Sequence, residues 1–193
     1  MYVIMNRKKE ERGRNKMIDY KVLEQNLVDL MKEEQAKLGY RKESIRFYYP
    51  LSSLNHFFKS NASAEEMQEI LDALPDQMRK KYGDIQCSHK GERFCVTLPE
   101  KASEYVHMHM EENEFIRQLV ELIAKHDTTM QQIFELFESQ KDECVIKHIN
   151  KDEFDVLIYF KGEKDPYYYC LKDEGCHIIY HRFLPEDYED LWR

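Results

Sequence analysis

The side chains of this chain best suited to chemistry are tyrosines and histidines near its C-terminal end. Tyr167 and Tyr169 alternate along one predicted strand, and His177 and His181 alternate along the next. A three-residue loop at 173–175 would place all four on one face of an antiparallel sheet. Because phenol and imidazole groups bind ligands and transfer protons, these four residues are the candidate ligand-binding site. A solvated sheet face, or a face covered by helices, is the alternative interpretation.

The same pattern predicts how buried each position of this face is. We expect Tyr169 and Ile179 at the covered centre and His181 nearer the rim, with Tyr167. Cys176 and His177 are neighbours in the predicted strand, so their side chains point to opposite faces. We therefore predict that these two residues do not form a thiolate–imidazole pair.

Two further groups contain part of a metal-ligand pattern. His107 and His109 lie two positions apart in a predicted helix, so they point about 200° apart and cannot share an ion. We expect one of them to face the core and the other to face water. Cys87 and Cys95 fall on opposite faces of a predicted hairpin. A one-residue change of register would bring them together with His89, which keeps a zinc site open as an alternative. We predict that the protein holds no metal and no cofactor.

Catalytic and nucleotide-binding motifs are absent from the sequence. Its six glycines are scattered, whereas a phosphate-binding loop needs clustered glycines so that backbone N–H groups can approach the anion. Neither a Gly-x-Ser-x-Gly elbow nor a His-Glu-x-x-His helix occurs. These absences favour a protein without enzymatic activity.

One part of the chain has the element order of a winged helix. Two predicted helices meet at Asp127 and Thr128, and a predicted hairpin follows them. The candidate recognition helix, 128–140, contains Glu135 and Glu138 and neither lysine nor arginine. Contact with DNA needs positive charge, because neutralising phosphates supplies much of the affinity. We therefore expect no binding of nucleic acid.

Charge and composition give the broad class of the protein. The chain has 193 residues, a formal net charge of −8 and 42% hydrophobic residues. Residues 1–16 carry six basic and two acidic side chains, so the remainder has a net charge of −12. An acidic body repels nucleic acid and anionic membranes, and no apolar run approaches the roughly 18 residues of a membrane span.

The tail and the cysteines complete this picture. Residues 1–16 lack apolar periodicity, which predicts a disordered basic tail, with Met17 as an alternative start and a single domain over 17–193. The five cysteines are odd in number and irregularly spaced, which is typical of reduced thiols in the cytoplasm.

The position of each element follows from hydrophobic periodicity. Residues 144–184 alternate β-branched and aromatic side chains between short polar turns, which predicts an antiparallel meander. Helices are predicted over 19–38, over 63–82 with a capping box of Ser63 and Glu66 at its start and a kink or break at Pro75, and in three segments between 99 and 140. A hairpin over 85–98, turning at Lys90 and Gly91, either joins the meander or stands apart.

The segment 39–55 (GYRKESIRFYYPLSSLN) is the most individual part of the chain. Pro50 forces Tyr49 out of the helical region, and Ser52 or Ser53 can cap a short helix that runs to Phe58. Together with the preceding helix, this segment resembles a small bacterial family catalogued only as a domain of unknown function. The resemblance implies no activity, cofactor or functional residue.

The sequence thus predicts an α+β fold in which a mainly helical N-terminal two-thirds packs on a C-terminal antiparallel β-meander, with an additional hairpin near 85–98. The leading functional hypothesis is a non-enzymatic cytoplasmic protein that binds another protein or a second copy of itself, without membrane or nucleic-acid contacts. The alternative is a small enzyme or metal-binding protein that uses the tyrosine and histidine cluster.

Overall fold

A computed structural model of the chain describes residues 18–151, 153–162 and 164–187. The predicted disordered tail over 1–16 and the alternative start at Met17 lie outside these residues. No helix in the described ranges combines the length and the apolar character that crossing a membrane requires.

The architecture is α+β, as the sequence predicts. The helices are α1 (Lys21–Leu38), α2 (Leu51–Phe58), α3 (Ala64–Asp72), α4 (Leu74–Tyr82), α5 (Glu100–His109), α6 (Glu114–Ile123) and α7 (Met130–Glu138). The strands are β1 (Ile45–Pro50), β2 (Gln86–Lys90), β3 (Arg93–Leu98), β4 (Cys144–Lys151), β5 (Phe154–Phe160), β6 (Tyr168–Asp173) and β7 (Ile178–Phe183).

Local sequence signals explain several helix ends. Ser63 and Glu66 form the reciprocal hydrogen bonds of a capping box at the start of α3, which confirms that prediction. The predicted interruption at Pro75 is present as the boundary between α3 and α4, because proline is tolerated in the first turn of a new helix. Gly83 ends α4 with a φ of 83°, a conformation that residues with a side chain rarely adopt.

The strands form two antiparallel sheets. The four-stranded sheet has the order β4-β5-β6-β7, which confirms the C-terminal meander. The hairpin β2–β3 does not join it. Instead, β3 pairs with β1, and the resulting three-stranded sheet has the order β1-β3-β2. β1 and β7 are thus edge strands within the described part of the chain.

Strand β1 was not predicted, although its sequence contains a signal. Ile45, Phe47 and Tyr49 alternate with Arg46 and Tyr48. In the structure the first set lies opposite the buried residues of β3, whereas Tyr48 is 55% exposed. This period of two is typical of a half-buried strand.

The hairpin register differs from the predicted one by two residues. Lys90 pairs with Arg93 across a two-residue turn at Gly91 and Glu92, so Cys87 faces Val96 rather than Phe94. A shift by an even number of residues leaves each side chain on its original face. The predicted separation of Cys87 and Cys95 onto opposite faces is therefore confirmed.

Each sheet has its own hydrophobic cluster against a different group of helices. The first cluster joins helices α1 to α5 to the three-stranded sheet, with Leu23, Leu54 and Phe94 fully buried. The second cluster packs α6 and α7 on the four-stranded sheet around Phe137 and Tyr169. Because α1 contacts α2, α5 and α6, it lies where the two halves of the fold meet.

Candidate functional site

Helix α1 presents a row of polar side chains to the C-terminal strands. Asn26, Asp29 and Glu33 lie at positions i, i+3 and i+7, which place them on one face of the helix. Asn26 and Glu33 are 6% and 5% exposed. Buried amides and carboxylates require hydrogen-bonding partners, and here strands β1 and β7 and Tyr167 before β6 supply most of them.

Arg182 of β7 is the charged centre of this contact. Its Nη1 atom lies 2.9 Å from Oε2 of Glu33, and its Nε atom donates to the hydroxyl of Tyr169 at 3.2 Å. The guanidinium carbon lies 3.4 Å from the ring centroid of Tyr167, a stacked cation–π contact. Arg182 therefore has a carboxylate, a phenol and an aromatic face as partners, and its positive charge is paired with the negative charge of Glu33.

The other carboxylate oxygen of Glu33 is also satisfied. Oε1 accepts from the hydroxyl of Tyr180 at 3.0 Å and lies 2.8 Å from Nζ of Lys37. Burial alone would raise the pKa of Glu33, but the positive charges of Arg182 and Lys37 outweigh it and hold the pKa below its usual value.

Asn26 connects the two halves of the fold through two tyrosines. Its Nδ2 atom donates to the hydroxyl of Tyr167 at 2.9 Å, and its Oδ1 atom accepts from the hydroxyl of Tyr49 at 2.7 Å. Burial raises the pKa of both Tyr49 and Tyr167, so both phenols stay protonated and act as neutral hydrogen-bonding groups.

A cleft of about 710 Å³ lies above this network, between the two sheets. One wall is the edge strand β1 at Phe47–Pro50, and the opposite wall is the edge strand β7 at His181–Phe183. Asn26 and Tyr167 form its floor. The floor is thus rigid and already hydrogen-bonded, while the walls are the outer strands of two sheets.

Asp187 lies beside the cleft and connects helix α2 to it through a hydrogen bond. Its carboxylate accepts a hydrogen bond from the hydroxyl of Ser53, and it belongs to the short 3-10 helix Pro185–Asp187. Burial raises the pKa of Asp187, although the Ser53 bond opposes this effect. Within the described residues, this 3-10 helix is the only helical segment after β7.

The outer face of the three-stranded sheet forms a basic lip beside the cleft. Arg46, Tyr48, Lys90 and Arg93 share this face and are all exposed. The guanidinium carbon of Arg93 lies 5.1 Å from the ring centroid of Tyr48, and Tyr48, Lys90 and Arg93 line the cleft. We call these four residues the basic lip.

The four residues of the predicted ligand-binding face do not come together. Tyr167 and Tyr169 lie on the helix-covered side and are 3% and 0% exposed. Tyr169 pairs with Arg182, whereas His181 pairs with Cys170 and therefore occupies the opposite face. His177 lies before β7, in the turn, so this predicted cluster does not exist as one face.

A longer turn is the reason for this difference. The predicted loop pairs Lys172 with Cys176, whereas the structure pairs Lys172 with Ile179. This shift of three residues is odd, so every side chain of β7 changes face. The burial of Tyr169 is confirmed, but the prediction that Ile179 is buried is wrong, because Ile179 is 40% exposed.

Cys176 and His177 are in contact, contrary to the sequence-based prediction. The Sγ atom of Cys176 lies 3.0 Å from Nδ1 of His177, and Nε2 of His177 lies 3.4 Å from Oε2 of Glu174. Both residues precede β7 and belong to the turn in which the N–H of Glu174 donates to the carbonyl of His177. Residues in a turn do not alternate between two faces as strand residues do.

The other candidate metal ligands are also separated. His107 stacks on Tyr40 with ring centroids 4.3 Å apart, and His109 contacts the edge of Tyr105. Both histidines are exposed, so the expectation that one faces the core is wrong. Within the described ranges, no three or more histidine, cysteine, aspartate or glutamate residues converge as metal ligands would.

Sequence reasoning included Tyr167 of the cleft floor but missed Asn26, the Glu33–Arg182 pair and Tyr48. A polar row at i, i+3 and i+7 within an otherwise amphipathic helix was the available signal for Asn26 and Glu33. Arg182 had no comparable signal, because its partner Glu33 is 149 positions away in the chain. Tyr48 becomes identifiable only after β1 is recognised as a strand.

Comparison with known protein families gives a match over most of the chain. The profile of a family described as a domain of unknown function from E. rectale (DUF3877) matches residues 20–192. No curated protein and no solved structure matches the chain significantly.

Proposed function

The chain belongs to this family of unknown function, and we propose that it is a non-enzymatic binding protein whose cleft receives an extended, acidic segment of another protein. The observation that carries this proposal is the position of the cleft between two edge strands, β1 and β7. An edge strand offers backbone N–H and C=O groups that an added strand can pair with.

The composition of the cleft supports a protein as the ligand. Tyr48 and Arg93 stand exposed at its mouth, and tyrosine and arginine are enriched among the residues that dominate binding energies at interfaces. The hydrogen bonds of Asn26 hold the floor in place, so binding requires little ordering of this surface.

The charge of the basic lip supports an acidic segment. Arg46, Lys90 and Arg93 share a face in a chain whose net charge is −8, and Glu92 in the adjacent turn is the acidic residue nearest to them in sequence. A local positive surface attracts acidic segments, whereas the negative charge on the rest of the protein repels them, so such segments are directed to the basic lip.

The state of the polar network beneath the cleft argues against acid–base catalysis by its members. Arg182 and Glu33 are paired with each other, and Tyr49, Tyr167 and Tyr169 are hydrogen-bonded phenols whose pKa values burial raises. A general acid or base must exchange its proton near neutral pH, which these groups do not. All five cysteines are free thiols, which supports our proposal that the protein works in the cytoplasm.

Photocrosslinking from position 48 tests the proposal. In cells of the source organism, p-benzoylphenylalanine replaces Tyr48 in one variant and Met108 in a control variant, because Met108 is 67% exposed and lies outside the cleft. We expect a discrete adduct with another protein from position 48 and not from position 108.

The crosslinked partner is then purified and its affinity is measured by calorimetry. We expect Tyr48→Ala and Arg93→Glu each to weaken binding at least about tenfold, with Met108→Ala unchanged and all melting temperatures equal. The affinity should also fall as salt rises. An adduct with a second copy of this chain, or an affinity that the Tyr48 and Arg93 variants leave unchanged, would contradict the proposal.

A further inference from the structure

The turn between β6 and β7 brings together three groups that form a chemically functional arrangement. Cys176 supplies a thiol, His177 lies 3.0 Å from it through Nδ1, and Glu174 lies 3.4 Å from the other ring nitrogen. A nucleophile next to a base that a third group orients is the usual arrangement for activating a cysteine. Cys176 is therefore not an isolated thiol.

One tautomer of His177 satisfies both contacts. If Nε2 carries the hydrogen, it donates to the carboxylate of Glu174, and Nδ1 is left as the acceptor for the thiol proton. When that proton moves to Nδ1, the imidazolium that forms is stabilised by the negative charge of Glu174. Glu174 is thus a positioning residue, and His177 is the base.

The backbone of the turn holds these groups in place. The N–H of Glu174 donates to the carbonyl of His177 at 3.0 Å, and the N–H of Gly175 donates to Oδ1 of Asp173 at 2.8 Å. Gly175 has a φ of 84°, which other residues rarely adopt. This closed turn brings the side chains of two successive residues, Cys176 and His177, into contact.

Cys176 is more accessible to solvent than the other four cysteines. Cys176 is the exposed cysteine, whereas Cys87, Cys95 and Cys144 are half-buried and Cys170 is buried. Burial raises the pKa of Cys87 and of Cys170 to about 12, which keeps both as unreactive thiols at neutral pH.

We propose that Cys176 is a site of reversible modification, at which the protein forms mixed disulfides with small cationic disulfides. The thiol proton passes to His177, and the thiolate attacks one sulfur of the small disulfide. A bond forms between that sulfur and Sγ, the original S–S bond breaks, and the departing thiolate takes the proton back from His177. Cys176 is oxidised and the small disulfide releases one thiol, so atoms and electrons balance.

The charge around the turn selects the reagent. Asp173 at the end of β6 and Glu174 in the turn both precede Cys176, and Oδ2 of Asp155 lies 3.3 Å from the backbone nitrogen of Asp173. These carboxylates attract a cationic disulfide and repel an anionic one. The same surface would therefore discriminate between reagents that have the same reactive S–S bond.

Labelling rates on the full chain test this assignment. The protein is treated at about pH 7 with cystamine, which is cationic, or with dithiobis(nitrobenzoate), which is anionic, and mass spectrometry measures the modification of each cysteine over time. We expect Cys176 to react with cystamine about tenfold faster than a cysteine in an unstructured peptide, because an isolated thiol is only a few per cent thiolate at this pH. We expect the ratio of the Cys176 rate to the peptide rate to be smaller with the anionic reagent.

Substitutions of His177 and Glu174 test their roles as the base and the positioning residue. His177→Asn should lower the cystamine rate at Cys176 about tenfold, and Glu174→Gln should lower it a few-fold, whereas the control His126→Asn, an exposed histidine elsewhere, should leave it unchanged. Cys95, half-buried in β3, provides an internal control within each sample. Equal melting temperatures would show that the variants are folded.

Two outcomes would overturn the proposal. The first is a wild-type rate at Cys176 no higher than that of the peptide. The second is a rate that His177→Asn does not lower. Because none of these residues lines the cleft between the sheets, neither outcome bears on the proposed binding function.

Discussion

Glu33 of α1 and Arg182 of β7 form an ion pair at 2.9 Å, and their side chains are 6% and 2% exposed. A buried ion pair adds little net stability compared with apolar residues of the same shape, because both charges lose their hydration. The pair instead makes the packing of α1 against β7 specific. Removing one partner leaves the other charge buried, without water and with fewer hydrogen-bonding partners. This pair fixes α1 against the last strand of the sheet.

We expect Glu33→Leu to destabilise the fold by about 3–5 kcal/mol, because it leaves the guanidinium of Arg182 without its carboxylate. The double variant Glu33→Leu/Arg182→Met should be more stable than the sum of the two single changes predicts. Denaturant midpoints measure each free energy of unfolding. Glu143→Ala, which removes one side of the exposed pair with Lys161, is the control and should leave the denaturant midpoint nearly unchanged.

The pH dependence of stability should differ in sign for two carboxylates of α1. The pKa of Glu33 is lowered, so its contribution to stability is present above its ordinary value of 4.5 and is lost as pH falls below it. Burial raises the pKa of Asp29, against the attraction of Arg182, so Asp29 destabilises the fold as pH rises above its ordinary value of 3.8.

Two isosteric variants test these signs. Glu33→Gln should lose more stability at about pH 7 than at about pH 3, and Asp29→Asn should gain stability relative to wild type over the same rise in pH. Urea midpoints at the two pH values provide the comparison. Parallel pH profiles for wild type and both variants would contradict the assigned directions.

Tyr49 and Tyr48 are neighbours that should respond differently to losing a hydroxyl group. Tyr49→Phe leaves the buried Oδ1 atom of Asn26 without its 2.7 Å donor, so we expect a cost of about 1–3 kcal/mol. Tyr48→Phe keeps the aromatic ring under Arg93 and changes an exposed hydroxyl, so its cost should be below about 0.5 kcal/mol. Thermal and denaturant unfolding of the two variants check this contrast, and equal costs would refute the role of Asn26 as a bridge.

Tyr169→Ala should cost about 3–5 kcal/mol, as the loss of large core aromatic side chains does. Tyr169 is fully buried, contacts Phe137 and Phe160, and donates to Asp165 at 2.7 Å. His177→Ala should cost below about 1 kcal/mol, because His177 is exposed in a turn. A Tyr169→Ala midpoint close to that of wild type would be incompatible with the buried position described here.

The sequence predicts those features that depend on neighbouring residues. The capping box of Ser63 and the interruption at Pro75 are local, because their donors, acceptors and steric clashes lie within a few positions. The meander is predicted for the same reason, since each of its strands pairs with the next one along the chain.

The candidate site escapes prediction because it depends on register and on distant pairs. The turn before β7 is longer than the predicted loop, so His181 lies on the face opposite Tyr169. Sequence patterns do not fix the length of a loop rich in aspartate, glutamate and glycine. The bond between Asn26 and Tyr167 joins residues 141 positions apart, and no local pattern encodes such a pairing.

The long separation of these pairs also bears on biosynthesis. Helix α1 is translated before the partners it meets in β7 and beside β6: the hydroxyl of Tyr167, which accepts from Asn26, and the guanidinium of Arg182, which pairs with Glu33, are 141 and 149 positions further along the chain. Until the ribosome has released residue 182, this helix carries a carboxylate and an amide that cannot be buried without cost. The contact between α1 and β7 therefore forms only after β7 has been translated. A chain that terminates before β7 would have an α1 whose polar side chains lack their partners, and the proteases and chaperones of the cell act on such incompletely folded chains.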